Sequence, residues 1–147
     1  MGYYGNSTGL TNVNDIEKNN SDTTTTNRTC TTSFANHINR SSIVVPSGYR
    51  AIIMVFAAAN GVYESEAGRL GIRIKLDGTS SSNSSEFVGH VGFHDNYAGS
   101  CSIFKVFDVA AGTYTVRFQV REVSGNIIFN NRGQTDYMST SCFSYRA

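Results

Sequence analysis

Ala110-Ala111-Gly112-Thr113-Tyr114-Thr115-Val116-Arg117-Phe118-Gln119-Val120-Arg121-Glu122 places a small-residue turn ahead of a strict alternation of apolar and polar side chains. Tyr114, Val116, Phe118 and Val120 fall on one face, and Thr113, Thr115, Arg117, Gln119 and Arg121 on the other. That period of two belongs to a half-buried strand, not to a helix. Arg69 to Asp77 repeats it, with Leu70, Ile72, Ile74 and Leu76 inside and Arg69, Arg73, Lys75 and Asp77 outside, before the turn dipeptide Asp77-Gly78.

Working outward, Ile43-Val44-Val45 reads as a short strand closed by Pro46-Ser47-Gly48. Tyr49 to Ala59 is apolar on both faces, with Ala51, Ile53 and Val55 opposite Ile52, Met54 and Phe56. A sandwich strand normally keeps one face wet, so the second dry face calls for further cover. Residues 78–85 read as a flexible polar loop, and Glu86 to His94 as a strand with Phe87, Val91 and Phe93 opposite Val88, His90 and His94. In Cys101 to Val109, Ile103, Phe107 and Val109 oppose Phe104 and Val106. A short strand at Asn126 to Phe129 precedes a terminal one, Tyr137 to Tyr145, with Tyr137, Phe143 and Tyr145 opposite Met138 and Cys142. The expectation is all-β: an eight-stranded antiparallel β-sandwich of the jelly-roll kind with an extended N-terminal arm. Ile52, Met54, Phe56, Tyr137, Phe143 and Tyr145 are the expected oligomer interface, because a homotypic partner would cover the surplus dry faces.

Residues 1–41 form the expected arm and 42–147 the domain. Roughly half of the arm is Asn, Ser or Thr, including Thr23-Thr24-Thr25-Thr26, so it buries too little apolar surface to offset its ordering entropy. Its few large apolar side chains include Leu10, Val13, Ile16 and Phe34, the expected anchoring points on neighbouring subunits. On this reading, deleting residues 1–41 leaves a folded domain.

The 147 residues suit one domain, and a net charge of +1 with 16 % charged residues offers no basic footprint for nucleic acid or an anionic membrane. No apolar run of about 18 residues or more occurs. Met1 to Ser7 carries neither a basic nor an apolar leader region, so the reading is of a chain made in a cytoplasm without a secretory signal. Cys30, Cys101 and Cys142 are odd in number and widely separated, which fits buried thiols better than a disulfide framework.

Chemistry has few footholds. His90 and His94 sit four apart on an expected strand, roughly 13 Å along the chain, too far for two donors on one zinc. His94-Asp95 near Ser100 and Cys101 lacks a nucleophile elbow, and Glu64 with Glu66 or Asp77 with Glu86 lacks the ladder of a calcium loop. The reading is therefore of no catalytic residue, no metal and no cofactor. A shallow glycan site could be lined by Tyr63, Tyr97 and Asn83, although the chain has no Trp.

Four segments carry a resemblance: Pro46-Ser47-Gly48-Tyr49, Leu70-Gly71-Ile72-Arg73-Ile74 ahead of Asp77-Gly78, Val109 to Val116, and Cys142-Phe143-Ser144-Tyr145. Over residues 42–147 the chain resembles the jelly rolls of the tumour necrosis factor and complement globular-head type, especially those of bacteriophage virion proteins. The resemblance implies a homotrimer packed about a threefold axis through one sheet, with non-enzymatic work. It points to a virion location and to a capsid decoration or cement protein held by its arm to a major capsid or fibre protein. The alternative it leaves is a tail-fibre tip that binds a receptor or carbohydrate.

Overall fold

The computed structural model describes residues 16–24, 28–64, 69–78, 83–87, 99–125, 127–129 and 135–146. These are almost all strand: β1 (Ile16–Thr24), β2 (Arg28–Thr29), β3 (Ala35–Val45), β4 (Tyr49–Glu64), β5 (Arg69–Gly78), β6 (Asn83–Phe87), β7 (Gly99–Val109), β8 (Gly112–Ser124), β9 (Ile127–Phe129) and β10 (Asp136–Arg146). Eight are of full length, and β2 and β9 are stubs of two and three residues.

All the pairings are antiparallel, and the eight long strands form four nested pairs: β1 with β10, β3 with β8, β4 with β7 and β5 with β6. The first strand pairs the last, the second pairs the last but one, and so on inward. Such a ribbon wraps so that alternate pairs enter different sheets, adding the contacts β10–β4 and β8–β5. The result is one sheet in the order β1-β10-β4-β7, with β9 and β2 continuing beyond the far end of β4, facing a second in the order β3-β8-β5-β6. This is a jelly roll, as the alternation predicted.

The core lies between the sheets. From one side come Ala51, Ile53, Val55, Phe107 and Met138, and from the other Leu70, Ile74, Leu76, Val116 and Phe118, all buried. Two of the corners at which the chain crosses between sheets are tightly built. At the first, Tyr49 N donates to Pro46 O at 3.1 Å around Gly48, whose φ of +82° is the left-handed value that glycine tolerates best. At the second, Ala110-Ala111 turns β7 into β8, and the buried Tyr114 donates its hydroxyl to Ala110 O at 2.8 Å. The phenol thus satisfies its own polar end while closing the corner behind it.

The N-terminal third departs from the sequence reading. Its residues 16–24 are β1, lying along the edge of β10, and β3 runs straight through the expected arm–domain boundary at 41/42. Two irregularities hid β3: its register shifts between Asn36 and Ile38 and again between Arg40 and Ile43, where Ser42 takes φ of +63°. Each shift resets the alternation, so Ile38 and Val45 both point inward although they are an odd number of residues apart. For β1, low apolar content was the wrong criterion, because its backbone groups are matched by β10. Arg40 and Asp22, 3.3 Å apart, tie β3 to β1 across the edge of the sandwich.

Candidate functional site

Most of the large apolar side chains exposed among the described residues stand on the larger sheet, although Val44 and Val123 of the smaller sheet are exposed too. Register sets the outward residues of the larger sheet in rows across β10, β4 and β7: Phe143 beside Ile52 and Asp108, Ser141 beside Met54 and Val106, Ser139 beside Phe56 and Phe104, and Tyr137 beside Ala58 and Ser102. Phe104 is 59 % exposed, and Val106, Tyr137, Phe143 and Tyr145 are exposed as well. Ile52, Met54 and Phe56 are half-buried. The Phe56 and Tyr137 rings lie 5.7 Å apart, tilted by 42°.

All six residues expected at an oligomer interface therefore share one surface. Phe104 and Val106 extend it across β7, and their alternation with Ile103 and Phe107 was the signal that placed them there. Ile16, expected as an anchor, stands at the start of β1 in register with Phe143, at the margin of the same sheet.

One end of this surface is polar but self-neutralised. Arg50 donates to Asp108 Oδ1 from Nη2 at 2.9 Å and from Nε at 3.2 Å, and Tyr145 donates its hydroxyl to the same oxygen at 3.1 Å. Hydrogen bonds to Tyr145 and to Asp108 hold the Arg50 guanidinium above its ordinary pKa.

Of the remaining expected residues, those that are described stand apart. Tyr63 pairs Ile128 near the end of β4, while Asn83 opens β6 in the other sheet opposite Leu76, so they stand on separate layers. Tyr97, His90, His94, Asp95, Glu66, Leu10 and Val13 lie outside the described residues. Asn83 belongs to a strand where a loop to residue 85 was expected. Phe34 meets the guanidinium groups of Arg73 and Arg121 on the outside of the smaller sheet.

Titratable groups also lie in the core. His37 of β3 and Asp136 of β10 are in contact between the sheets, and Phe118 meets the His37 ring edge-on at 5.8 Å between centroids. Burial pushes the Cys101 thiol up to about 12, and the charge of Asp136 pushes the same way against a backbone hydrogen bond at Ala59. An activated cysteine nucleophile requires the opposite shift. All three cysteines are buried and none is in a disulfide. Partial burial raises the Asp77 carboxyl, but bonds and charges from Lys75 and Arg117 outweigh it and leave it below its ordinary value. Among the described residues no group of three or more His, Cys, Asp or Glu could hold a metal, and no helix is long and apolar enough to cross a membrane.

No protein-family model and no curated protein matches this chain. Among solved structures it is similar to the Eiger TNF of S. frugiperda, with 10 % identity and a TM-score of 0.44 over 72 % of this chain and 66 % of the other. It is also similar to a chain of infectious bursal disease virus strain Gx, with 10 % identity and a TM-score of 0.42 over 88 % of this chain and 31 % of that one. The C-terminal domain of EclA, a sugar-binding protein, aligns with 9 % identity and a TM-score of 0.34 over 87 % of this chain and 79 % of that one. This chain thus spans less than two thirds of the first two. The jelly-roll assignment rests on the strand order itself.

Proposed function

We propose that this chain is a non-enzymatic structural component of a virion that assembles with copies of itself through the outer face of the β1-β10-β4-β7 sheet. The observation that carries the reading is the row of Phe143, Ile52, Met54, Val106, Phe56 and Phe104, apolar side chains that register lines up on one open surface. Water contact costs such a surface roughly 25 cal/mol for each Å² that a neighbour could cover.

Charge favours an identical neighbour. Arg50 and Asp108 neutralise each other within the face, so two copies meet without like-charge repulsion and without a buried unmatched ion. Three copies about one axis is the arrangement that the resemblance to tumour necrosis factor-type jelly rolls implies. Capsid decoration is the proposed role, with Asn/Thr-rich sequence ahead of Ile16 as the fastener to the particle.

Light scattering on the purified chain tests the assembly, with a mass of three chains expected. Phe104→Glu is the informative variant, because this side chain is mostly in water and its replacement spares the core. It should stay folded by circular dichroism and run as a monomer. A wild-type monomer at micromolar concentration would overturn the proposal.

A further inference from the structure

The outer face of the larger sheet has two unlike ends. At one, Tyr145, Arg50 and Asp108 come together from β10, β4 and β7. At the other, roughly 27 Å further along β4, Tyr137, Ala58 and Ser102 share a row and carry no charge. The apolar rows from Phe143 and Ile52 to Phe56 and Phe104 lie between them.

The polar end is satisfied on one side only. Arg50 directs Nε and Nη2 at Asp108 Oδ1, at 3.2 and 2.9 Å, and Nε also meets the Tyr145 hydroxyl at 3.1 Å. Tyr145 donates to that same carboxylate oxygen at 3.1 Å, which holds the carboxylate in place. Three donors thus converge on Oδ1, while among the described residues nothing donates to Oδ2 and nothing accepts from Arg50 Nη1. Both side chains are open to water, 41 % of Arg50 and 50 % of Asp108. Each copy therefore presents one charged donor beside one charged acceptor, and such a pair is complementary to a second example of itself.

We propose, resting on the self-assembly read above, that Arg50 of each copy reaches Asp108 of the next, so that all copies stand parallel with their polar ends together. An antiparallel meeting would lay the Arg50–Asp108 pair against Phe56, Phe104 and Tyr137 of the other copy, stripping solvent from the charges and returning no hydrogen bond from the apolar rings. A parallel meeting sets aromatic rows against aromatic rows and replaces solvent at Asp108 Oδ2 by a guanidinium. About a threefold axis running along the strands, the exchange passes from donor to acceptor three times and closes on itself.

Light scattering on the full chain at micromolar concentration tests the pairing by charge reversal at these two exposed positions. Arg50→Glu places two carboxylates at the polar end, and Asp108→Arg places two guanidinium groups there. Each alone should weaken association by roughly tenfold or more, with the fold intact by circular dichroism. Mixed in equal amounts, the two should recover a mass of three chains, because two of the three contacts then join opposite charges. An antiparallel arrangement gives no such rescue, since its charged ends never meet. Parent-like mass for either variant alone, or a mixture that stays dissociated, overturns the proposal. Should a reversal fail to fold, Arg50→Gln and Asp108→Asn take its place; each should weaken association several-fold, and parent-like association overturns the pairing. Phe104→Glu separates this pairing from the assembly on which it rests. If the parent assembles and Phe104→Glu does not, failure of the mixture removes the pairing alone. A monomeric parent, or a Phe104→Glu variant that keeps the mass of three chains, removes the shared face and the pairing with it.

Discussion

His37 Nε2 lies 2.6 Å from Asp136 Oδ2 in the middle of the sandwich, with 1 % and 0 % of the two side chains in contact with water. Because His37 is on β3 and Asp136 on β10, the contact joins the two sheets through side chains where the backbone ladders cannot. Removing one member leaves the other desolvated without its main counterpart, which typically costs about 3–5 kcal/mol. Asp136→Ala should therefore lower the unfolding free energy by that much, moving the urea midpoint down with an unchanged slope. A loss below about 1 kcal/mol would show that the pair is incidental to the sandwich.

Cys101 gives a prediction that is read against pH. Its thiol is held near 12 in the fold, against an ordinary value of 9.0. Below 9.0 both states carry the proton, and the contribution to stability is complete. Between 9.0 and about 12 the unfolded chain releases the proton while the folded one keeps it, so stability falls as pH rises. Subtracting the alkaline stability profile of Cys101→Ala from that of the parent should isolate this slope. The same burial should protect the native thiol from a disulfide reagent at pH 8, with rapid reaction once urea unfolds the chain; fast native labelling would contradict it.

The sandwich was legible wherever one face of a strand is wet and the other dry. In β5 and β8 the inward sets Leu70, Ile72, Ile74, Leu76 and Tyr114, Val116, Phe118, Val120 are those that alternation picks out, and all eight are buried. The apolar outer face of the larger sheet was legible for the same reason, since Ile52, Met54 and Phe56 break the rule that one face should be polar. What composition concealed were strands whose stability comes from the ladder. β1 brings few apolar groups, and the two register shifts of β3 scramble its period. The Arg50–Asp108–Tyr145 cluster was equally hidden, because three polar residues far apart in sequence carry no mark of their meeting until register supplies it.

Asp77 accepts from Arg117 Nε at 2.6 Å and faces Lys75 Nζ at 2.7 Å across the surface of the smaller sheet. Its carboxyl is held below its ordinary value, so its contribution is present above the unfolded pKa and is lost as pH falls through the lower folded one. With roughly a quarter to a third of these side chains in solvent, screening limits the gain to about 0.2–1 kcal/mol. Asp77→Asn should be less stable than the parent by that amount at pH 7, and the two should converge in strong acid. A gap that widens on acidification would reverse the sign and refute the assignment.

The two boundaries of the N-terminal region separate in a truncation series. Deleting residues 1–15 keeps all of β1, whose pairing with β10 begins at Ile16 opposite Phe143, so this variant should unfold cooperatively near the parent midpoint. Deleting residues 1–41 removes β1 and the first part of β3 together with His37 and Ile38, both buried. Losing a buried isoleucine costs about 2–5 kcal/mol and breaking the His37 contact about as much again, against a total of about 5–15 kcal/mol for a domain. It also bares the edges of β8 and β10, which invites aggregation. The longer truncation should accordingly be insoluble or lack a cooperative transition in urea. Recovery of a soluble, cooperatively folding 42–147 fragment would place the domain boundary back at 41/42 and make β1 and β3 accessories to the sandwich.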